Sequence, residues 1–338
     1  MTDYYDIESR RYIGNKTKLN DWIMQTIQSL ANNVNSFCDI FAGTGTVANY
    51  ALPYFSSIII NDLLFSNQII YNAFFGNGEF DMEKLQALVN DFNEKEYTTD
   101  NWFSESYGNL YFDNDVARKV GSIRQQIEDF KSNLTYKEYC ILLASLIYSA
   151  DRLANTVGHF EAYIKKPIER RFLKVKLVNA KSTDKVTIFR EDANCLARKI
   201  ISDVVYVDPP YNSRQYSRFY HVYETLVKWD KPQLFGVARK PEPENMSEYC
   251  RSSAPSTFFD LIQHLNARYI VVSYNNTYNS RSKSSLNKIT LEQIKSALEV
   301  RGKTTILTHR YSAFNAGKTD LENHQEYLFL TEIKNNTI

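Results

Sequence analysis

The chain of 338 residues is poor in cysteine and has no long apolar run. Its four thiols, Cys38, Cys140, Cys195 and Cys250, are far apart and show no CxxC or Cys/His ligand spacing. That argues against both a disulfide framework and a zinc site, implies no metal, and fits a reducing cytosol. No apolar stretch approaches the roughly 20 residues that span a bilayer, and the opening MTDYYDIESRRYIGNK is polar, so neither a membrane span nor a secretion signal is expected. Charge of one sign is lacking too. A formal net charge of +1 decides nothing about nucleic acid, because phosphate binding needs a local basic patch rather than a basic chain. No internal repeat or low-complexity tract stands out. What is plentiful is apolar and aromatic surface: 43% hydrophobic residues, with 24 Tyr and 20 Phe, place the chain among globular proteins. Its length suits a core domain carrying an insertion.

Two glycines mark the first organised unit. From Asn35 the sequence FCDIFAGTGTVANYAL is an apolar run, a Gly-containing turn and a helix-compatible stretch, a β-turn-α signature of ligand-binding α/β domains. The β-branched run Ser57 to Asn61 then closes on Asp62, about 20 positions after the glycines, where such folds place a ribose-binding carboxylate. Strand signals stop for about 110 residues, and helical spacing takes over in Asp81 to Phe92, Asp115 to Lys131 and Tyr136 to Asn155. Sheet-like runs resume with KVTIFRED, VVYVDPPY, ARYIVVSYNN, KTTILTHRY and EYLFLTEI. The expectation is a doubly wound, Rossmann-like α/β domain (1–75 and 186–338) interrupted after its second strand by a mainly helical module (76–185).

The apolar run Val204 to Val207 reads as a buried strand, and Pro209 and Pro210 end it, so Asp208-Pro209-Pro210-Tyr211 forms a stiff loop at the strand's carboxyl end. Open α/β sheets bind ligands at that end. Taken alone, the four letters also suit a plain proline turn. In this position they suit chemistry on an aromatic amine such as adenine N6, whose lone pair is delocalised into the ring. Acceptors for both amino hydrogens favour a pyramidal nitrogen that can attack an electrophile. The Asp208 carboxylate and the Pro209 carbonyl supply two acceptors, and Tyr211 offers a ring to stack a base.

The turn Asp39-Ile40-Phe41-Ala42-Gly43-Thr44-Gly45-Thr46 permits close backbone approach to a ligand. It lacks the third glycine of GxGxxG, and no GxxxxGK[ST] occurs, which argues against NAD and ATP and suits a ligand without phosphates. A glycine turn by itself is equally a structural device. Arg11-Tyr12-Ile13-Gly14-Asn15-Lys16 joins an aromatic, a glycine turn and a cation ahead of an expected helix from Lys18 to Leu30. Asp192, in Arg190-Glu191-Asp192-Ala193, follows the strand VTIF and is placed either to read a cofactor's amino group or to sit in an ordinary surface turn.

In combination these elements resemble the type II DNA adenine-N6 methyltransferases of the alpha arrangement, the FokI-type, D12-class modification methylases. That family orders an (R/K)(Y/W)xGxK element, a (D/P)xFxGxG turn, a recognition region and DPPY. The runs Ala150 to Phe160 and Asn212 to Thr225 are similar as well, so the resemblance extends from residue 10 to about 330. It implies transfer of methyl from S-adenosylmethionine to N6 of a flipped adenine in duplex DNA, as the modification enzyme of a restriction-modification system, with any cognate endonuclease acting independently. It also implies that Tyr12, Lys16, Asp39, Phe41, Gly43, Gly45, Asp62 and Asp192 line the cofactor pocket, and that Asp208, Pro209, Pro210 and Tyr211 hold the base. Cytosine N4, RNA adenine or a protein amide remain rival acceptors on the residues alone, as does a silent DNA-binding scaffold. Asn15 and Tyr12 depart mildly from the pattern.

Reaching adenine N6 requires flipping the nucleotide out of the stack, so the backbone must be gripped. The densest basic stretch offers Lys165, Lys166, Arg170 and Arg171 for phosphates, or a solvated face. Lys231 to Pro255 and Ser280 to Lys283 are further candidates. His159 is expected to be structural. Proton loss follows methyl transfer, because a methylated N6 is acidic, so no strong general base is required.

Overall fold

The computed structural model describes residues 4–165, 168–276, 286–310 and 325–334. Its strands are β1 (Ser36–Asp39), β2 (Ser57–Asn61), β3 (Val186–Phe189), β4 (Ile201–Val207), β5 (Asn266–Asn275), β6 (Gly302–Arg310) and β7 (Gln325–Ile333). They form one sheet in the order β3-β2-β1-β4-β5-β7-β6. β1 runs parallel to β2 and to β4, β4 runs parallel to β5, and β7 is antiparallel to both its neighbours. The order is that of the doubly wound nucleotide-binding sheet, except that an antiparallel β7 is inserted between β5 and β6. This is the Rossmann-like α/β fold the sequence predicts, and every strand expected from the apolar runs is present. Parallel strands buried on both faces read as continuous apolar runs, and Val204, Val205, Val207, Ile270, Val271 and Val272 are all fully buried.

The chain forms two compact units. One, the sheet unit, comprises Lys16–Leu63, Phe189–Tyr216 and Asn245–Ile338; the other, the helical unit, comprises Met1–Asn15, Leu64–Ile188 and Ser217–Glu244. In the sheet unit Cys38, Ile40, Val205, Val207, Ile270 and Val272 pack on Leu196, Phe258, Leu261, Ile262, Ile294 and Leu298 from the covering helices Ala193–Ala197, Ala254–His264 and Leu291–Glu299. Each such side chain contributes about 1.5–3 kcal/mol by leaving water. The last of these helices starts at a capping box, the Thr290 hydroxyl accepting from the Gln293 amide while the Gln293 side chain accepts from the Thr290 amide.

The helical unit is built around Tyr136–Asp151, whose residues are buried on nearly every side, as a central helix must be. Thr135 and Glu138 form its capping box. Ser145 and Ser149 donate to the carbonyls of Ile141 and Ser145, each at 2.7 Å, and accept the Val178 and Lys176 amides, docking that extended segment along the helix. The expected helices near 81–92, 115–131 and 136–155 appear as Met82–Glu94, Asn114–Asp129 and Tyr136–Asp151. Helices Trp102–Tyr107, His221–Lys228 and Ala254–His264 are additional findings, the first two being too short for a repeating apolar period to reveal them. Among the described residues no helix is long and apolar enough to cross a membrane.

Candidate active site

The strand order reverses between β1 and β4, and there the carboxyl ends of both strands deliver the candidate residues of the sheet unit. Asp39 ends β1 and pairs in register with Tyr206, two residues before Asp208. After Asp39 the chain turns through Gly43 (φ 53°) and Gly45 (φ 77°), left-handed conformations that a side chain would resist, and Gly45 caps the helix Thr46–Ala51. Asp62, just past β2, accepts the Gly43 amide at 3.0 Å. Asn61 clamps the strand ends together: its amide donates to the Ile40 and Glu191 carbonyls at 3.0 and 3.1 Å, and its carbonyl accepts the Glu191 amide at 3.0 Å. Phe41 meets the Tyr249 ring edge to face at 4.9 Å, and the Tyr249 hydroxyl donates to Asn194 at 2.7 Å. Asp192 is exposed and caps the helix Ala193–Ala197 by accepting the Asn194 and Cys195 amides.

Asp39 is buried, and neither of its carboxylate oxygens has a hydrogen-bond partner. Burial, then the nearby charges of Asp208 and Asp62, hold its pKa well above the usual carboxylate range against a smaller pull from the Ala48 and Phe41 amides. A desolvated carboxylate without a partner at the mouth of a glycine turn suits a cationic ligand. A methyl donor that carries its methyl on a positively charged centre and has no phosphate would meet that requirement.

Around Asp208 the groups are tightly connected. The Tyr211 hydroxyl donates to Asp208 and lies 3.2 Å from Glu326, while Lys16 donates to Tyr211 and stands 2.8 Å from Glu326 and 3.3 Å from Asp208. The Ser273 hydroxyl donates to Glu326 at 2.8 Å. Burial pushes the Asp208 pKa up to about 6, Lys16 opposing the shift and Glu326 adding to it. Burial would lower Lys16, yet its two carboxylate neighbours leave it above the usual lysine value. The Tyr211 ring packs edge to face on Tyr274 at 4.7 Å, and the Tyr274 hydroxyl faces the Tyr211 carbonyl. Glu326, Ser273, Tyr249 and Asn61 did not emerge from the sequence, since none lies in a motif.

Tyr12 lies in the helical unit, stacked on Tyr220 at 4.5 Å with the Arg10 guanidinium over its ring. In the same unit Arg11 donates to the Asp151 carboxylate and to the Thr156 carbonyl, and Tyr223 donates to Asp151 at 2.7 Å. Lys165, Arg170 and Arg171 are exposed, Arg170 being 3.4 Å from Asp115 and lying over the Phe172 ring; Lys166 and the stretch 280–283 fall outside the described residues. His159 is buried, stacked on Phe219 at 4.0 Å, and accepts the Glu161 amide, the structural environment expected for it.

A Rossmann-like sheet with a phosphate-free glycine turn at β1 and DPPY at β4 defines a methyltransferase. Residues 12–283 match the model of the D12 class N6 adenine-specific DNA methyltransferases. The chain is 32% identical to modification methylase LlaI of Lactococcus lactis subsp. lactis over 79% of its length, but spans only 46% of that longer protein. It is 30% identical to the type II methyltransferase M.NlaIII of Neisseria lactamica, covering 95% of this chain and 98% of that one. It is 32% identical to M.CviAII of Paramecium bursaria Chlorella virus 1, covering 96% and 98%. The chain belongs to the D12 class of adenine-specific DNA methyltransferases, as its motifs imply, and its relatives are type II modification methylases.

Proposed function

We propose that this protein transfers the methyl group of S-adenosylmethionine to N6 of an adenine flipped from duplex DNA, as the modification enzyme of a restriction-modification system in the cytoplasm. The observation that carries the reading is the meeting of two loops at the sheet's switch point: the left-handed glycine turn with its unpartnered Asp39, and the Asp208–Tyr211 loop on the adjacent strand. When bound, S-adenosylmethionine supplies an electrophilic methyl on a sulfonium. Asp39, Phe41, Gly43, Gly45, Asp62 and Asp192 hold it, with Lys16 and Tyr12 from the N-terminal element.

The chain's own work is to prepare the acceptor nitrogen. The Asp208 carboxylate and the Pro209 carbonyl accept one amino hydrogen each, drawing the nitrogen out of conjugation with the ring. Tyr211 borders the base and fixes the carboxylate through its hydroxyl. The helical segment 76–185 is assigned target recognition, and exposed Lys165, Arg170 and Arg171, with Lys166 between them in sequence, are assigned phosphate contacts.

The test is transfer of labelled methyl from S-adenosylmethionine to unmethylated duplex DNA, with the product nucleoside identified. N6-methyladenine is expected, and Asp208→Ala should reduce the rate at least about a hundredfold while leaving the fold intact. Label absent from DNA, or an unimpaired Asp208→Ala protein, overturns the reading.

A further inference from the structure

We propose that Glu326, far from DPPY in sequence and beyond the stretch matched by the family model, is a positioning residue of the methyl-transfer site: it takes up the Lys16 cation and braces Tyr211, so that the Asp208 carboxylate stays available to the adenine amine. The inference rests on the methyltransferase reading above.

Topology brings Glu326 there. Because β7 is antiparallel to β5, its first residues lie at the carboxyl end of the parallel strands, and Glu326 pairs with Asn275 at the end of β5. The side chain is 3% exposed, against 16% for Asp208. A single oxygen, Oε1, accepts from Lys16 at 2.8 Å and from Ser273 at 2.8 Å, and lies 3.2 Å from the Tyr211 hydroxyl, whose proton goes to Asp208. A carboxylate so buried, with its oxygen so fully engaged, cannot itself reach a substrate.

Its effect is electrostatic. The groups facing Asp208 are Lys16 from the N-terminal element, Tyr211 from its own loop, Glu326 from β7, Tyr206 from β4 and Asp39 from β1, with Asp62 behind Asp39. One cation therefore stands among several acids. With Glu326 present, Lys16 sits nearer to it than to Asp208, and the pocket keeps negative charge where a hydrogen-bond acceptor is needed. Without it, Lys16 falls to Asp208 alone, and an acceptor already neutralised by an ammonium binds an amino hydrogen less well.

The sign is fixed by the same arrangement. Asp208 works as a carboxylate, so turnover falls as pH drops through about 6, and Glu326 is one of the groups that raise that value. Glu326→Gln keeps the shape and removes the charge. We expect kcat to fall on the order of tenfold, about what weakening one hydrogen bond to the acceptor nitrogen costs, and the acid limb of kcat/KM to move to lower pH, with KM for DNA nearly unchanged. Glu326→Asp, which keeps the charge, should leave the limb near its original position even if slower. A carboxylate-carbon NMR titration of free protein, with Asp208→Asn for assignment, should show the same downward move for Asp208 in Glu326→Gln. A wild type that methylates while Glu326→Gln leaves both the limb and the Asp208 titration unmoved overturns this inference alone. A wild type that transfers no methyl to DNA removes the underlying reading and this inference with it.

Discussion

The two units handle most of their buried charge differently. In the helical unit Arg10 is incompletely satisfied, its Nη2 donating to Asn67 at 2.8 Å while Nε and Nη1 have no hydrogen-bond partner, but the other buried charges are matched. Arg124, fully buried, donates to the Leu226 and Val227 carbonyls, Tyr139 and Glu128. Glu224 accepts the Phe65 and Ser66 amides at the start of the helix Phe65–Phe74, where the helix dipole favours it. Glu138 meets Lys84 together with the Asp81 and Thr135 amides, and Lys137 donates to the Asn72 and Lys181 carbonyls. In the sheet unit Asp39, Asp208 and Glu326 crowd the strand ends with Lys16 as the cation among them, and Asp39 has no partner. Matched charges specify a structure; an excess of one sign held against desolvation is stored for a ligand.

That contrast yields measurements in descending order of effect. Arg124→Ala orphans two carbonyls and opens a cavity, so it should lower unfolding free energy by about 3 kcal/mol or more, read by denaturant titration, while residual folded protein still methylates. An Arg124→Ala protein as stable as wild type breaks the claim that the helical unit depends on matched charge. Reversing Lys165, Arg170 and Arg171 to Glu should weaken DNA binding and reduce its log-log salt slope by about 3, with cofactor affinity unchanged. An unaltered slope leaves those cations on a solvated face.

Asp39→Asn sharpens the other side. Removing a desolvated, unpartnered charge should raise stability by about 1 kcal/mol at neutral pH and above, yet weaken S-adenosylmethionine binding measured by titration calorimetry. The pH dependence follows from the direction of its shift. A carboxyl whose folded pKa lies above its unfolded value stabilises fully at low pH, and that contribution is lost as pH rises through the folded pKa. The advantage of Asp39→Asn over wild type should accordingly grow with pH. A mutant less stable than wild type at pH 8 means Asp39 serves the fold.

Local chemistry made much of this legible in the sequence. The β-branched run Ser57–Asn61 and the valines of β4 are strands because such side chains fit a buried pleat, and Pro209 and Pro210 can only end one. The glycine turn after Asp39 likewise follows from φ preferences, whereas the capping boxes at Thr135 and Thr290 were seen only in the structure, where they satisfy orphan amides. Short motifs in a fixed order were enough to imply the family.

What the tertiary structure alone decided is which distant residues share a site. Asp39 faces Asp208 because β1 and β4 are neighbours across an intervening helical module, an adjacency no local pattern encodes. Asn61 became a clamp, and Tyr249 the partner of Phe41, through contacts between loops far apart in the chain. Glu326 shows the limit most plainly. In sequence it is one acidic residue before an apolar strand, and only the reversed direction of β7 carries it to the strand ends, where burial and the Lys16 cation give its charge a consequence. Sequence determines what each segment can form, because propensity and patterning act locally. The pairing of segments is settled by the sheet as a whole, and with it the electrostatics of the site.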